Sequence, residues 1–303
     1  MNTTTVTTSA TQAPRAAPGI ARTVLGIFKL RIGVLIMVSA LAGLAVAPGP
    51  TPGFWQVLVL ALSVLVASAA AGAFNQFAEA ESDRQMARTR RRAFASGALK
   101  TSPFWLAVIA LMLAAALAAA AWVVNPVAAL FIFLGAFTYG VVYTLWLKRR
   151  TWLNIVVGGL SGSFAVLAGA AAVDPSLGPL PWLLAGMLFL WTPPHFWSLA
   201  IACRDDYAAA GVPMLPVVVG IPRAARIVHG NALLLVAVSL LLPLYGAGLV
   251  VLAGAACGGV YFLLRTWQLA LAPSRATAMA AFFGSMVQLS VLLAAVAVDA
   301  TLR

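Results

Sequence analysis

A chain of 303 residues in which 63% are hydrophobic and only 9% are charged has too few charges to coat a water-soluble globule of its size. Apolar runs recur from residue 32 to residue 298, and each is near the roughly 20 residues that cross a hydrocarbon core as helix. Alanine, leucine and valine fill these runs without the every-second-residue alternation of an outer-membrane barrel, so the expected fold class is all-α, a polytopic membrane protein.

Residues 1–22 are rich in Thr, Ala, Ser and Pro, with Arg15 and Arg22 and no acid, and read as a disordered tail. The tail has no apolar signal-peptide core and too few arginines for an organelle-targeting segment. Residues 23–303 then form a single transmembrane domain. Nine spans are expected, near 32–47, 54–74, 104–124, 127–147, 152–172, 181–203, 227–245, 247–268 and 277–298, arranged around a central cavity. Breaks fall at Pro48-Gly49-Pro50, Asn125-Pro126, Asp174-Pro175 and Pro179-Leu180-Pro181. Cys203 and Cys257 lack metal-ligand spacing and are expected as small buried thiols.

The loops at 47–54, 125–127 and 173–181 carry no Lys or Arg, whereas all 19 basic residues except Arg303 fall on the opposite face. By the positive-inside rule that face, with the amino terminus, is cytoplasmic, and the Ala-rich chain suits a bacterial inner (plasma) membrane. The formal net charge of +12 is thereby explained by the lipid bilayer, and no nucleic acid partner is expected.

Topology does not demand acids on the basic face, yet five of the seven stand there: Glu79, Glu81, Asp83, Asp205 and Asp206. Asn75, Glu79 and Asp83 are four residues apart, drift only about 40° per step on a helix and share one face. Their oxygens extend over about 12 Å, a spacing suited to hard cations such as Mg²⁺ that keep waters and bridge a polyphosphate. The arginines that follow, Arg88 and Arg92 among them, would hold the same diphosphate directly. The plainer alternative is a set of solvated ion pairs at a helix end. A second acidic loop, Arg204-Asp205-Asp206-Tyr207, favours the metal reading, since two separated acidic clusters with cations between them suit a diphosphate held through Mg²⁺ from both sides. Tyr143, Lys148 and Arg149 close span 4 on that face, where Tyr143 could donate to a phosphate and the cations could equally be topology signals. Span 6 contains Pro193-Pro194-His195-Phe196-Trp197, and two prolines are expected to kink or open it. His195 then lies about 15 Å below Asp205, a functional candidate by depth or else a histidine bonded to a neighbouring helix. His229 carries no assignment.

The motifs Asn75-Gln76-x-x-Glu79-x-x-x-Asp83, Tyr143-Thr144-x-x-x-Lys148-Arg149 and Pro194-His195-Phe196-Trp197 with Asp206-Tyr207-x-x-Ala210-Gly211-Val212-Pro213-Met214-Leu215-Pro216 resemble the intramembrane UbiA-type prenyltransferase superfamily. Within it they are similar to the protohaem IX farnesyltransferase (haem O synthase) branch, over about residues 23–298. The resemblance implies Mg²⁺ as cofactor, held by Asn75, Glu79, Asp83 and Asp206 as catalytic and metal-ligating residues. It implies farnesyl diphosphate as donor and haem b as acceptor, with diphosphate released and haem O formed for terminal oxidases. His195 would be an axial ligand or steering contact for the haem iron, and a haem A synthase or oxidase assembly factor a partner. A quinone-ring or chlorophyll-like acceptor is the alternative within enzymes, and a transporter the alternative outside them. The chain departs from the family pattern at Leu30, Ala93 and Ala95, where prolines are usual, and at Ala202, where the second motif usually has an acid. Losing the prolines at 93 and 95 is expected to loosen the loop after the first acidic motif.

Overall fold

In the computed structural model the described residues are 20–302, and all regular structure among them is helical. Helix α1 (Ile20–Ile27) begins inside the stretch expected as tail, because Ile20, Ala21 and Val24 continue the apolar pattern rather than the Thr/Ser/Pro composition; residues 1–19 lie outside the described residues. Then come α2 (Leu30–Val46), α3 (Phe54–Ala78) and the short α4 (Ala80–Gln85). Helix α5 (Pro103–Ala119) ends in a π turn (Ala120–Val124), and α6 (Pro126–Phe137) runs on as a ten-residue π-helix (Thr138–Leu147). The chain continues through α7 (Asn154–Gly158), α8 (Leu160–Val173), α9 (Pro179–Ala202), α10 (Arg204–Ala209), α11 (Leu215–Val219), α12 (Ile221–Ser239), α13 (Leu249–Leu271) and α14 (Arg275–Leu302).

Seven helices among the described residues are long and apolar enough to cross a bilayer, against the nine spans expected. The two that fall short are α2, with 17 residues, and α9, with 24 residues. α9 has the length, but Pro193, Pro194 and His195 dilute its apolar character. The Asn125-Pro126 break forms as expected: Asn125 Oδ1 accepts the Ala128 N–H at 2.8 Å, its amide donates to the Ala171 carbonyl at 2.8 Å, and Pro126 opens α6 where no N–H is needed.

Lipid tails are as apolar as the helices, so the bundle is held by close backbone approach at small residues. A Cβ on Gly43 of α2 would stand 2.0 Å from the Val166 carbonyl oxygen, and one on Gly169 of α8 would stand 1.7 Å from that of Ala40. Only glycine permits that contact. At the opposite end of the bundle from the basic loops, Asp299 of α14 is buried and its Oδ2 accepts the Gly248 N–H at 2.9 Å, capping α13.

The paired prolines do not open α9. Pro194 has no N–H for the Leu190 carbonyl, and the Asn231 amide of α12 supplies the missing donor at 3.2 Å, so the helix runs unbroken through the motif. Ser198 Oγ adds a bond to the Pro194 carbonyl at 2.6 Å. Cys203 is half-buried and Cys257 exposed, so only small size, not burial, survives of the expectation for the thiols.

Candidate active site

Asn75 and Glu79 lie at the end of α3, and the chain bends at Glu79 (φ −98°, ψ 7°) before α4. The i→i−4 bonds nevertheless continue through the bend, from the Glu79 N–H to Asn75 at 3.0 Å and from the Asp83 N–H to Glu79 at 2.8 Å. The three side chains therefore keep the common face that their spacing demands, and all three are buried.

They line one wall of a cavity of about 880 Å³ at the basic face of the bundle. Each is held by a cation or an amide contact. Lys29 Nζ donates to Asn75 Oδ1 at 2.5 Å, Lys148 Nζ donates to Glu79 Oε1, and Arg92 Nη1 donates to both oxygens of Asp83 at 3.0 and 2.8 Å. Asn75 Nδ2 completes its own bonding by donating to Thr144 Oγ1 at 3.0 Å. Among the described residues, one polar atom in this wall has no hydrogen-bond partner: the buried Glu79 Oε2. An ionised carboxylate oxygen taken out of bulk water with no donor is costly, and a hard cation is a fitting ligand for it.

The π-helix explains how span 4 reaches the site. Nine residues separate Tyr139 from Lys148, which on an α-helix of 3.6 residues per turn places them about 180° apart. The i→i+5 bonding of a π-helix, roughly 4.4 residues per turn, returns them to the same side. Both line the cavity with Tyr143, whose ring stacks on that of Tyr139 at 5.6 Å and 16°. Gly158 leaves room for Tyr143, since a Cβ there would stand 2.9 Å from its ring.

Opposite, Arg88 Nη2 reaches the Tyr207 hydroxyl at 3.3 Å with its guanidinium 6.0 Å from the ring centroid. Burial pushes the Tyr207 phenol up, so it keeps its proton and has one to donate into the cavity. The loop after α4 is not loose despite Ala93 and Ala95. Thr89 Oγ1 donates to the Asp83 carbonyl at 3.1 Å, Arg84 Nε to Ala95 at 3.0 Å and the Leu99 N–H to Ala93 at 3.0 Å, while Phe94 is buried. Hydrogen bonds and an apolar anchor replace the stiffness that prolines would give.

Of the expected site residues, the structure thus brings together Asn75, Glu79, Asp83, Arg88, Arg92, Tyr143, Lys148 and Tyr207. It does not bring in the rest. Asp205 is 94% exposed and pairs with its neighbour Arg204 at 3.1 Å. Asp206, half-buried on α10, and Arg149, exposed, are not among the cavity's lining residues, and no three carboxylate, His or Cys groups among the described residues stand close enough to share a metal. The reason for Asp206 is local: α10 turns Tyr207, not the acids, inward to Met86, Ile155 and Trp197.

His195 is buried in α9 but lies outside this cavity's lining, which takes Phe196 and Leu199 from that helix. Its ring is stacked between Trp191 (4.2 Å) and Phe282 (4.5 Å), and Nδ1 is 2.7 Å from Ser285 Oγ. The neighbouring-helix alternative is therefore the one the packing matches.

Two site residues escape the motif reading, Lys29, which the sequence presents only as a topology charge, and Tyr139, only a span residue; Thr144 stands in the Tyr143-Thr144 motif, but nothing in the sequence gives it a role of its own. Lys29 stands between α1 and α2 at φ 48°, a left-handed conformation rare for a side-chain-bearing residue. A proline at 30 would restrict Lys29 towards extended backbone, so the leucine there is a usable signal in hindsight. Its ammonium also reaches Tyr139 Oη at 3.2 Å. Burial, and next the Arg92 charge, lower the Lys29 pKa to about 7.

The UbiA prenyltransferase family model matches residues 36–291, so the chain belongs to that family of membrane transferases. It is 53% identical over 273 residues to protoheme IX farnesyltransferase 2 of Paramagnetospirillum magneticum, covering 90% of this chain and 95% of that protein. It is 40% identical over 285 residues to protoheme IX farnesyltransferase 1 of Cenarchaeum symbiosum, covering 92% and 96%. Among solved structures, the fold superposes on a digeranylgeranylglyceryl phosphate synthase with TM-score 0.77 at 18% identity, covering 93% of this chain and 99% of that one. A UbiA homologue of Archaeoglobus fulgidus bound to DMAPP and Mg²⁺ gives 0.70 at 15% identity, with coverage of 88% and 98%.

Proposed function

We propose that this protein transfers the farnesyl group of farnesyl diphosphate to the vinyl group of haem b, forming haem O and releasing diphosphate. The acceptor rests on the relatives of 53% and 40% identity over nearly their whole lengths. The observation that carries the chemistry is the rim cavity, where Asn75, Glu79 with its unpartnered Oε2, and Asp83 face a set of cations.

Asn75, Glu79 and Asp83 fit Mg²⁺, which would supply charge neutralisation to a departing diphosphate. Asp206 remains a candidate for that set only through movement of α10. Lys29, Arg92 and Lys148 at present donate to those same three residues. With Asn75, Glu79 and Asp83 holding a cation, Lys29, Arg92 and Lys148 would be free to donate to the diphosphate oxygens, with Arg88 and the Tyr143 and Tyr207 hydroxyls beside them. Breaking the C1–O bond leaves an allylic cation, and the haem vinyl terminus adds to it. Water then adds to the resulting carbocation next to the pyrrole and loses a proton, leaving a hydroxyethylfarnesyl substituent. Met86, Ile155 and Leu199 give the cavity an apolar lining that would keep bulk water from the allylic end.

The same reading puts the protein in a bacterial inner membrane with the cavity opening on the cytoplasmic face, an orientation that the basic loops support. Purified protein incubated with farnesyl diphosphate, Mg²⁺ and haem b is expected to yield a product heavier by one farnesyl group and one hydroxyl group. Absence of that product, with farnesyl diphosphate bound, overturns the acceptor.

A further inference from the structure

The cavity's ionisable lining is unbalanced. Six basic side chains, Lys29, Arg88, Arg90, Arg91, Arg92 and Lys148, face two carboxylates, Glu79 and Asp83. A fully ionised prenyl diphosphate bound with one Mg²⁺ brings a single net negative charge, so two or three positive charges are left over, according to whether Lys29 is protonated. Such an excess in a confined site is repulsive. The excess is also localised. Lys29, Arg92 and Lys148 are engaged by the metal-ligating face, and Arg88 by Tyr207. Arg90 and Arg91 are exposed at the mouth and, among the described residues, make no side-chain hydrogen bond or ion pair.

The backbone that carries these two arginines is nevertheless pinned. The Arg90 N–H donates to the Met86 carbonyl at 3.0 Å and the Arg92 N–H to that of Thr89 at 2.9 Å. Thr89, between Met86 and Arg90, is buried and tied to the Asp83 carbonyl. Met86 is buried against Tyr207 and Ile155. A topology signal needs only charge on the correct face, not a loop pinned to the wall that carries the metal-ligating carboxylates.

We propose that Arg90 and Arg91 form a carboxylate subsite for the acceptor, one arginine for each propionate of haem b. This rests on haem b as the acceptor. The geometry suits an amphipathic porphyrin, whose propionates stay at the wet rim while the vinyl-bearing edge points into the apolar part of the cavity. Two carboxylates leave the loaded site within about one charge of neutrality. The diphosphate and the acceptor are then told apart by which cations they engage: those beside the carboxylate wall, and those on the pinned loop.

The test uses the full-length protein in nanodiscs of neutral phosphatidylcholine, which removes anionic lipid headgroups as rival ligands. Protohaem and its dimethyl ester are compared, by Soret titration for binding and by mass for farnesylated product. Wild type is expected to bind the diacid about tenfold or more tightly than the diester, as loss of charge-assisted hydrogen bonds implies. The Arg90→Gln/Arg91→Gln variant is expected to lose that preference while binding the diester and farnesyl diphosphate within about twofold of wild type, and Arg90→Lys/Arg91→Lys to regain part of it. Equal binding of diacid and diester by wild type, or a preference that survives in the Gln variant, overturns the subsite. Binding with the expected preference but no farnesylated product from either porphyrin overturns the proposed reaction instead.

Discussion

Glu79 and Lys148 form an ion pair whose side chains are 7% and 11% exposed. Glu79→Gln removes the negative member and leaves the Lys148 ammonium facing an amide. For a fully desolvated pair, that kind of change costs about 3–5 kcal/mol; with cavity water to relieve it, about 2 kcal/mol is expected here. The midpoint of thermal unfolding should fall by about 3 °C. Turnover should fall much further, roughly 10³-fold or more, because a carboxylate that would hold the Mg²⁺ neutralising a leaving diphosphate is gone. The double variant Glu79→Gln/Lys148→Met separates the two effects. Removing both charges should return the midpoint to within about 1 °C of wild type, yet leave turnover at or below that of the single variant. Thermal melts in detergent and product formation at saturating Mg²⁺ read both quantities. If the double variant recovers turnover together with stability, the pair is only structural and the assignment of Glu79 to the chemistry is refuted.

Three further outcomes follow from the geometry. Lys29, with its pKa lowered to about 7, carries its charge below that pH and loses it above. Farnesyl diphosphate affinity should therefore weaken as pH rises from about 6 to about 8.5, and a dependence unchanged in Lys29→Met would disconnect Lys29 from the diphosphate. His195→Ala removes a ring stacked between Trp191 and Phe282 and the contact with Ser285, so about 2–4 kcal/mol of stability should be lost. Its haem titration should keep the wild-type Soret spectrum; a changed spectrum would restore the axial-ligand role. Gly169→Leu should abolish folding in the membrane, since even a Cβ meets the Ala40 carbonyl at 1.7 Å, whereas Gly186→Ala, with nothing within 4 Å, should melt like wild type. Accumulation of folded Gly169→Leu would contradict the α2–α8 packing.

The sequence by itself determined the membrane class, the position of the breaks, the basic face and the first acidic motif. These depend on quantities local along the chain: run length, charge on loops and a four-residue spacing that survives the bend at Glu79 because the i→i−4 bonds do. The tertiary structure decided which side chains meet. Lys29 comes to Asn75 from 46 residues away, Lys148 to Glu79 from 69, and Arg88 to Tyr207 from 119, none of which a motif spacing encodes. The π-helix is a register choice that no apolar pattern announced, and it puts Tyr139 and Lys148 on one side. The prolines of α9 implied a broken helix only while Asn231, on another helix, was not known to supply the missing donor. His195 looked like a ligand for its depth and proved to be enclosed by rings from α9 and α14. Depth in a membrane follows from sequence; the face a side chain presents, and what packs against it, depends on how the helices associate, which small residues such as Gly43 and Gly169 govern through contacts between distant backbones.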